Sequence, residues 1–237
     1  MQLAVWSGPR NISTALMYSF AQREDFFAID EPFYAAYLSK TGLDHPMREE
    51  VIASQPIDPD VVIRTLTQPP SDGAAHMYQK HMTQHMIDAI PRVWMNTVTN
   101  VFLLRHPARV ISSFSKKYEN PTLHDIGFQK QIELFRFLRD AGHSPVMVNS
   151  HDIIRFPEKT LKKLCSHLSL DFDPVMLRWD IGGSRYDGVW AKHWYGAVHR
   201  SSGFSKSEGA LPDLPKKFQS LKKIALSDYE EMMEYCI

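Results

Sequence analysis

A short apolar run, Leu3-Ala4-Val5-Trp6, stops at Ser7-Gly8-Pro9 and restarts as a helical pattern with Ile12, Leu16 and Phe20 on one face. This commits the start of the chain to a strand, a tight turn and a helix, with the helix's first N–H groups left facing the turn. Backbone donors there, the hydroxyls of Ser13 and Thr14 and the charge of Arg10 make the turn a site where an anion can sit. The residues do not spell G-x-x-x-x-G-K-[ST], so a triphosphatase using lysine and magnesium is not the first reading. Alone, the same pattern also describes an ordinary capped connection.

The unit recurs along the chain. Phe26 to Asp30 is a buried-strand pattern that delivers Asp30 and Glu31 to its end, where Pro32 closes it. Asp58-Pro59 predicts a capped helix through Val62 and Leu66, and Pro69 to Gly73 a loop. Ala75 to Lys80 and Val98 to Leu104 read as strands, the second running into Arg105-His106-Pro107 and a helix carrying Val110, Ile111, Phe114 and Tyr118. A longer helix with Phe128, Ile132, Phe135 and Leu138 on one face stops near Gly142. A strand at Pro145 to Val148 and a helix from Glu158 to Leu170, with Cys165 in its core, follow. The last third is irregular: Trp179, Trp190, Trp194 and Tyr195 cluster among basic residues before a terminal helix near Leu221 to Met233. Strands alternating with helices predict an α/β fold, a mostly parallel sheet covered on both faces, with ligands at the strands' carboxyl ends.

At 237 residues the chain is long enough for a single domain, 1–237, with a sizeable core. Lys plus Arg and Asp plus Glu balance at 27 each, which argues against bulk electrostatic binding to nucleic acid or to an anionic membrane. Two cysteines, no basic leader before an apolar stretch and no apolar run long enough to span a bilayer make a cytoplasmic location the default expectation. Oligomeric state is not legible.

The turn Pro9-Arg10-Asn11-Ile12-Ser13-Thr14, taken with Leu103-Leu104-Arg105-His106-Pro107-Ala108-Arg109-Val110-Ile111-Ser112-Ser113, resembles the sulfotransferases that use 3′-phosphoadenosine 5′-phosphosulfate. The resemblance implies a three-layer fold like that of the P-loop NTPases and the transfer of a sulfuryl group to a hydroxyl or amine of a small-molecule acceptor. It places Arg10, Asn11, Ser13 and Thr14 on the 5′-phosphosulfate, and Arg105 with Ser113, eight residues on, at the 3′-phosphate. It extends to Val146 through Asp152, to Phe156-Pro157-Glu158 and, loosely, to Ser201-Ser202-Gly203-Phe204, which offers Ser201 as a further cofactor contact. Lys80 stands where many members carry a lysine beside the leaving group, and Glu31 resembles the glutamate that several members use as base. No metal is implied, because a sulfuryl group carries less charge than a phosphoryl group and Arg10, Lys80 and backbone N–H groups can neutralise the leaving oxygen.

There are departures. Asn11-Ile12 replaces the usual Ser-Gly or Thr-Gly, and the β-branched Ile12 can take a glycine-like conformation only with strain. Met82 stands where cytosolic eukaryotic members have a histidine, leaving His81 or His85 as neighbours for the acceptor; His81 is carried with Glu31, Arg10 and Lys80 in the candidate catalytic set. The acids have a plain alternative role, pairing with Arg10 or Arg105. His81 and His85 are four apart, but H-E-x-x-H lacks its glutamate here. Two other functions share this framework: a kinase-like phosphotransferase, and a non-catalytic descendant that binds a nucleotide or a partner.

Overall fold

Runs of aromatic and aliphatic residues with buried side chains on both faces form β1 (Gln2–Ser7), β2 (Phe26–Asp30), β3 (His76–Met82), β4 (Thr99–Leu104) and β5 (Val146–Asn149). The computed structural model describes residues 1–204 and 207–237. The five strands lie in one sheet in the order β2-β3-β1-β4-β5, and every pair is parallel. Their residues alternate between two cores, as the two-residue period of a strand requires. Leu3, Val5, Ala28, Tyr78 and Leu103 face a helical layer of α1 (Ser13–Ala21) and, further on, the helix Pro157–His167. Ala4, Trp6, Met77, Phe102 and Leu104 face the other layer, whose longest members are Phe128–Asp140 and Gln219–Met233. This is the three-layer parallel α/β architecture expected from the sequence, and Cys165 is buried in it.

Between β2 and β3 the proline-broken stretch folds as three helices, α2 (Tyr34–Thr41), α3 (Arg48–Ser54) and α4 (Pro59–Thr67). The cap read at Asp58 is present: its side chain accepts from Asp60 N at 2.9 Å. α2 lacks a polar N-cap and is apolar over most of its surface, so in the sequence only Gly42, its left-handed C-cap, marks it. It packs with Trp190, Ala191 and Tyr195 in a third, smaller core at the edge of the sheet. After β4 comes α5 (Pro107–Phe114), with Pro107 in its first turn; α6 (Leu123–Ile126), α7 (Phe128–Asp140), α8 (Ser150–Arg155) and α9 (Pro157–His167) follow, then α10 (Ala191–Trp194) and α11 (Gln219–Met233). Among the described residues, no helix is long and apolar enough to cross a membrane.

Parallel register brings the strand ends together: Ser7 lies opposite Met82 and Asp30 opposite Lys80. The turn after β1, Glu31 after β2 and Arg105 after β4 therefore share one edge. The turn is pressed against the α6–α7 junction, where Gly8 N donates to Gln131 Oε1 at 3.3 Å. A Cβ on Gly8 would stand 2.6 Å from the Ile126 carbonyl oxygen, closer than a Cβ carbon can approach a backbone oxygen. Gly8→Ala is therefore expected to cost about 1–3 kcal/mol, a fall in Tm of roughly 3–10 °C in a thermal melt, whereas an unchanged Tm would mean that this close approach does not exist.

Candidate functional site

The turn that joins β1 to α1 holds two residues in the left-handed region, Arg10 at φ 63° and Ile12 at φ 58°. The glycine-like shape survives at Ile12 despite its β-branch, at a cost of about 1–2 kcal/mol for a bulky residue there. Ile12 packs against the core around α1, and its carbonyl accepts from Leu16 N at 3.0 Å, which holds the conformation in place. The change from a left-handed Ile12 to the right-handed first turn of α1 points successive N–H groups into one concavity, a nest suited to an anion. No side chain caps that helix terminus, and Asn11 Oδ1 is buried without a partner while its amide donates to Gly8 O at 3.1 Å.

The segment after β4 closes over this turn. Arg105 Nη1 donates to the carbonyl of Arg10, and Arg10 Nε donates to Ser113 Oγ at 2.9 Å. Arg10, Arg105 and Ser113 thus form one chain of contacts, although Ser113 lies near the far end of α5. Among the described residues no ion pair or hydrogen bond engages the terminal nitrogens of Arg10; burial and the neighbouring Arg105 lower its pKa from the usual guanidinium value. All three residues, with Asn11, Ser13 and Thr14, line a cavity of about 460 Å³.

Glu31 and Lys80 face the same cavity, in an arrangement the sequence did not reveal. Lys80 is fully buried, and its Nζ donates to Asp30 Oδ1 at 2.9 Å, Glu31 Oε1 at 2.5 Å and the Tyr195 hydroxyl at 2.6 Å. An ammonium has three protons, so Lys80 has none left to offer a leaving group. The Tyr195 hydroxyl also accepts from Trp190 Nε1 at 2.9 Å and lies 2.8 Å from Asp30 Oδ2, to which Gly188 N donates at 3.2 Å. Burial raises the Asp30 carboxyl above the ordinary carboxylate range against the pull of Lys80. Neither acid pairs with Arg10 or Arg105 among the described residues; both serve Lys80. Glu31 sits at φ 41°, held by its N–H on Lys80 O at 2.9 Å and by Gln55 Nε2 on its carbonyl at 3.2 Å. Strain at a carboxylate is kept where surrounding contacts over-determine it, commonly at a working site.

His81 lies elsewhere. On β3 the side chains of Lys80 and His81 must point to opposite faces, and the His81 ring stacks on Trp6 at 4.2 Å inside the core, with Nε2 3.2 Å from Gln79 Oε1. It does not line the cavity, which removes the geometric basis for its expected place there. Nor do His81 and His85 share a helix: β3 ends at Met82, and His85 closes a short 3-10 turn, Thr83–His85. His85 lines the cavity, as do His45 and His124, and is stacked between Tyr34 at 4.6 Å and Tyr37 at 4.8 Å. Its Nε2 lies 4.0 Å from Glu31 Oε2, beyond hydrogen-bond reach, and burial pushes its pKa well below the usual histidine value.

Residues 1–235 match the sulfotransferase domain family. The chain belongs to that family. Two curated relatives from Arabidopsis thaliana are the branched-chain-amino-acid aminotransferase-like proteins 1 and 2: the first is 35% identical over 225 residues, 95% of this chain and 38% of the relative. The second is 34% identical over 203 residues, 86% of this chain and 36% of the relative. The chain thus spans little more than a third of the length of either. Among solved structures, it is similar to the sulfotransferase domain of the Synechococcus PCC 7002 olefin synthase, with a TM-score of 0.57, 18% identity, and 99% of this chain and 94% of that one covered. The sulfotransferase domain from the curacin biosynthetic pathway gives a TM-score of 0.59 at 17% identity, with 96% of each chain covered. At these identities the solved structures establish the shared P-loop-like α/β fold.

Beyond Glu31 this sulfotransferase family member surrounds the cavity with rings. Phe114 stacks on Tyr118 at 4.9 Å and Tyr118 on Trp194 at 6.0 Å, each pair within 12° of parallel. Tyr34 and Tyr37 flank His85, and Tyr34 Oη lies 3.0 Å from His45 Nδ1. Trp194 and Tyr195 belong to the aromatic cluster that the sequence shows; Phe114 and Tyr118 fit a helical pattern there, yet α5 ends at Phe114 and both rings line the cavity. Ser201 also lines it, but its hydroxyl donates to Val198 O at 2.7 Å and accepts from Trp179 Nε1 at 3.2 Å.

Because a buried ammonium shared by two carboxylates leaves both acids uncompensated when it is removed, Lys80→Met is expected to cost about 3–5 kcal/mol, measured by urea unfolding. A loss below about 1 kcal/mol would contradict the structural role assigned to Lys80.

Proposed function

We propose that the chain transfers the sulfuryl group of 3′-phosphoadenosine 5′-phosphosulfate to a hydroxyl or amine of a small molecule, with Glu31 as the base. The observation that carries this reading is that an uncapped helix terminus with Arg10, the Arg105–Ser113 pair and the Glu31 carboxylate open onto one cavity. The residues fit a nucleotide that carries two anionic groups: Arg10 spends Nε on Ser113 and keeps its terminal nitrogens as donors, and the nest before α1 suits a phosphate. When bound, the donor supplies an electrophilic sulfur and a phosphate leaving group.

Arg10 and the first N–H groups of α1 then neutralise charge on the oxygen from which the sulfuryl group departs, while Ser13 and Thr14 orient that phosphate. Arg105 and Ser113 hold the 3′-phosphate. Glu31 Oε1 is tied to Lys80 and Tyr195, so Oε2 is the oxygen available to take the acceptor's proton as the new bond to sulfur forms and the old S–O bond breaks. Lys80 acts through Glu31, fixing its carboxylate, rather than on the leaving group.

The acceptor end limits the acceptor. Among the described residues, the cations lining the cavity are Arg10, Lys80 and Arg105: the two arginines flank the turn, and Lys80 is spent on acids. No free cation remains to receive a carboxylate or phosphate, and the ring-lined wall favours an uncharged group that stacks.

The test combines binding and turnover. Adenosine 3′,5′-bisphosphate should raise Tm while magnesium–ATP leaves it unchanged. Sulfate transfer over a panel of uncharged and anionic acceptors should be confined to the uncharged ones, and Arg10→Ala should lower kcat about 10²-fold or more. Stabilisation by magnesium–ATP instead would favour phosphoryl transfer. Tight bisphosphate binding without turnover on a broad panel would favour a non-catalytic descendant.

A further inference from the structure

Behind the cavity wall, one carboxylate is held by three basic side chains from three elements. Glu208 has only 4% of its side chain exposed. Its Oε1 accepts from Arg105 Nε at 2.9 Å and from Arg105 Nη2, and its Oε2 lies 3.4 Å from Arg109 Nε and 3.2 Å from His151 Nδ1. Arg105 follows β4, Arg109 lies in the first turn of α5 and His151 belongs to α8, so the folded framework brings them together without help from the segment that carries Glu208. That segment has no helix or strand over 207–214. It is tied to the framework by Arg109, which donates to Glu208 O at 2.9 Å and to Gly209 O at 2.6 Å.

The charge balance is uneven. Two guanidiniums and an imidazole surround a single negative charge, and among the described residues no other acid pairs with Arg105 or Arg109. A phosphate dianion would match such a set better than a carboxylate, because it offers three acceptor oxygens and a second charge. Glu208 occupies the Nε–Nη2 edge of Arg105, the edge that grips two acceptors side by side, while the Nη1 end reaches the turn through Arg10 O. An anion that takes the edge of Arg105 and approaches Arg109 must compete with Glu208 for it.

We infer that Glu208 is a built-in anion occupying the 3′-phosphate subsite, and that it sets the preference for a 3′-phosphorylated nucleotide by exchanging with that phosphate. This rests on the donor reading given above. On exchange, the guanidinium of Arg105 passes from Glu208 to the phosphate, and the hold of Arg109 on the backbone at 208–209 is released.

The test compares wild type with Glu208→Gln, which keeps the side chain's shape and its hydrogen-bonding oxygen but removes the competing charge. By titration calorimetry, Glu208→Gln should bind adenosine 3′,5′-bisphosphate about tenfold more tightly, while adenosine 5′-phosphate should change less than about twofold. A residue that merely positions Arg105 would give the opposite sign. Hydrogen exchange on the wild-type protein supplies a readout independent of the variant's folding: bisphosphate should speed exchange at 207–210, and adenosine 5′-phosphate should not. If wild type binds the bisphosphate but the variant binds it equally or more weakly, or if exchange at 207–210 slows or is unchanged, this inference fails and the donor reading stands. If the bisphosphate binds neither protein, both fail.

Discussion

The cavity depends on a buried ammonium. Lys80 joins β2 and β3 to the segment around Tyr195 through Asp30, Glu31 and the tyrosine hydroxyl, and Gly188 and Trp190 complete the set. An isolated charge at that depth would cost many kcal/mol; one that satisfies all three protons on fixed partners becomes a constraint on where those partners stand. The consequence is that Glu31 is locked with one oxygen engaged and the other toward the cavity, and that α2 and α10 are anchored on the same side of the sheet. The half of the cavity around Glu31 is thus built on an ammonium whose three protons are all spent on structure.

The half of the cavity around the turn after β1 obeys a different logic, in which unmet capacity is the feature. Arg10 and Ile12 hold left-handed conformations, the helix terminus has no cap, and the guanidinium of Arg10 spends one donor on Ser113. Each is locally unfavourable, and each turns a donor toward the same space. In Arg105 and Glu208 the capacity is met internally, by a carboxylate standing where a phosphate would suit the surrounding charge better.

Much of this was legible in the sequence where a rule acts locally. The alternation of strands and helices, the Asp58 cap, the proline that opens α5 and the turn after β1 depend on a few neighbouring residues, and they came through. The errors have specific physical causes. His81 was carried because it neighbours Met82, which stands where cytosolic eukaryotic members of the resembled family have a histidine, although a strand sends Lys80 and His81 to opposite faces. Lys80 was read as a free cation because its three partners come from residues 30, 31 and 195, and sequence spacing carries no record of such closure. Phe114 and Tyr118 matched a helical stripe whose helix stops at Phe114. Glu208 offered no signal at all, because an acid in an irregular segment becomes meaningful only when β4, α5 and α8 have placed three basic groups around it. The pairing of Arg105 with Ser113 came from family resemblance alone; in the structure each touches Arg10, Arg105 at its carbonyl and Ser113 at its guanidinium.

In the proposed function the strained turn and the Arg105 segment are the two anion subsites of one nucleotide site. A crystal structure of the protein with adenosine 3′,5′-bisphosphate tests this most directly. The 5′-phosphate is expected in the nest before α1, beside Arg10, and the 3′-phosphate on Arg105 within reach of Ser113. A bisphosphate bound with both phosphates away from these residues would contradict it.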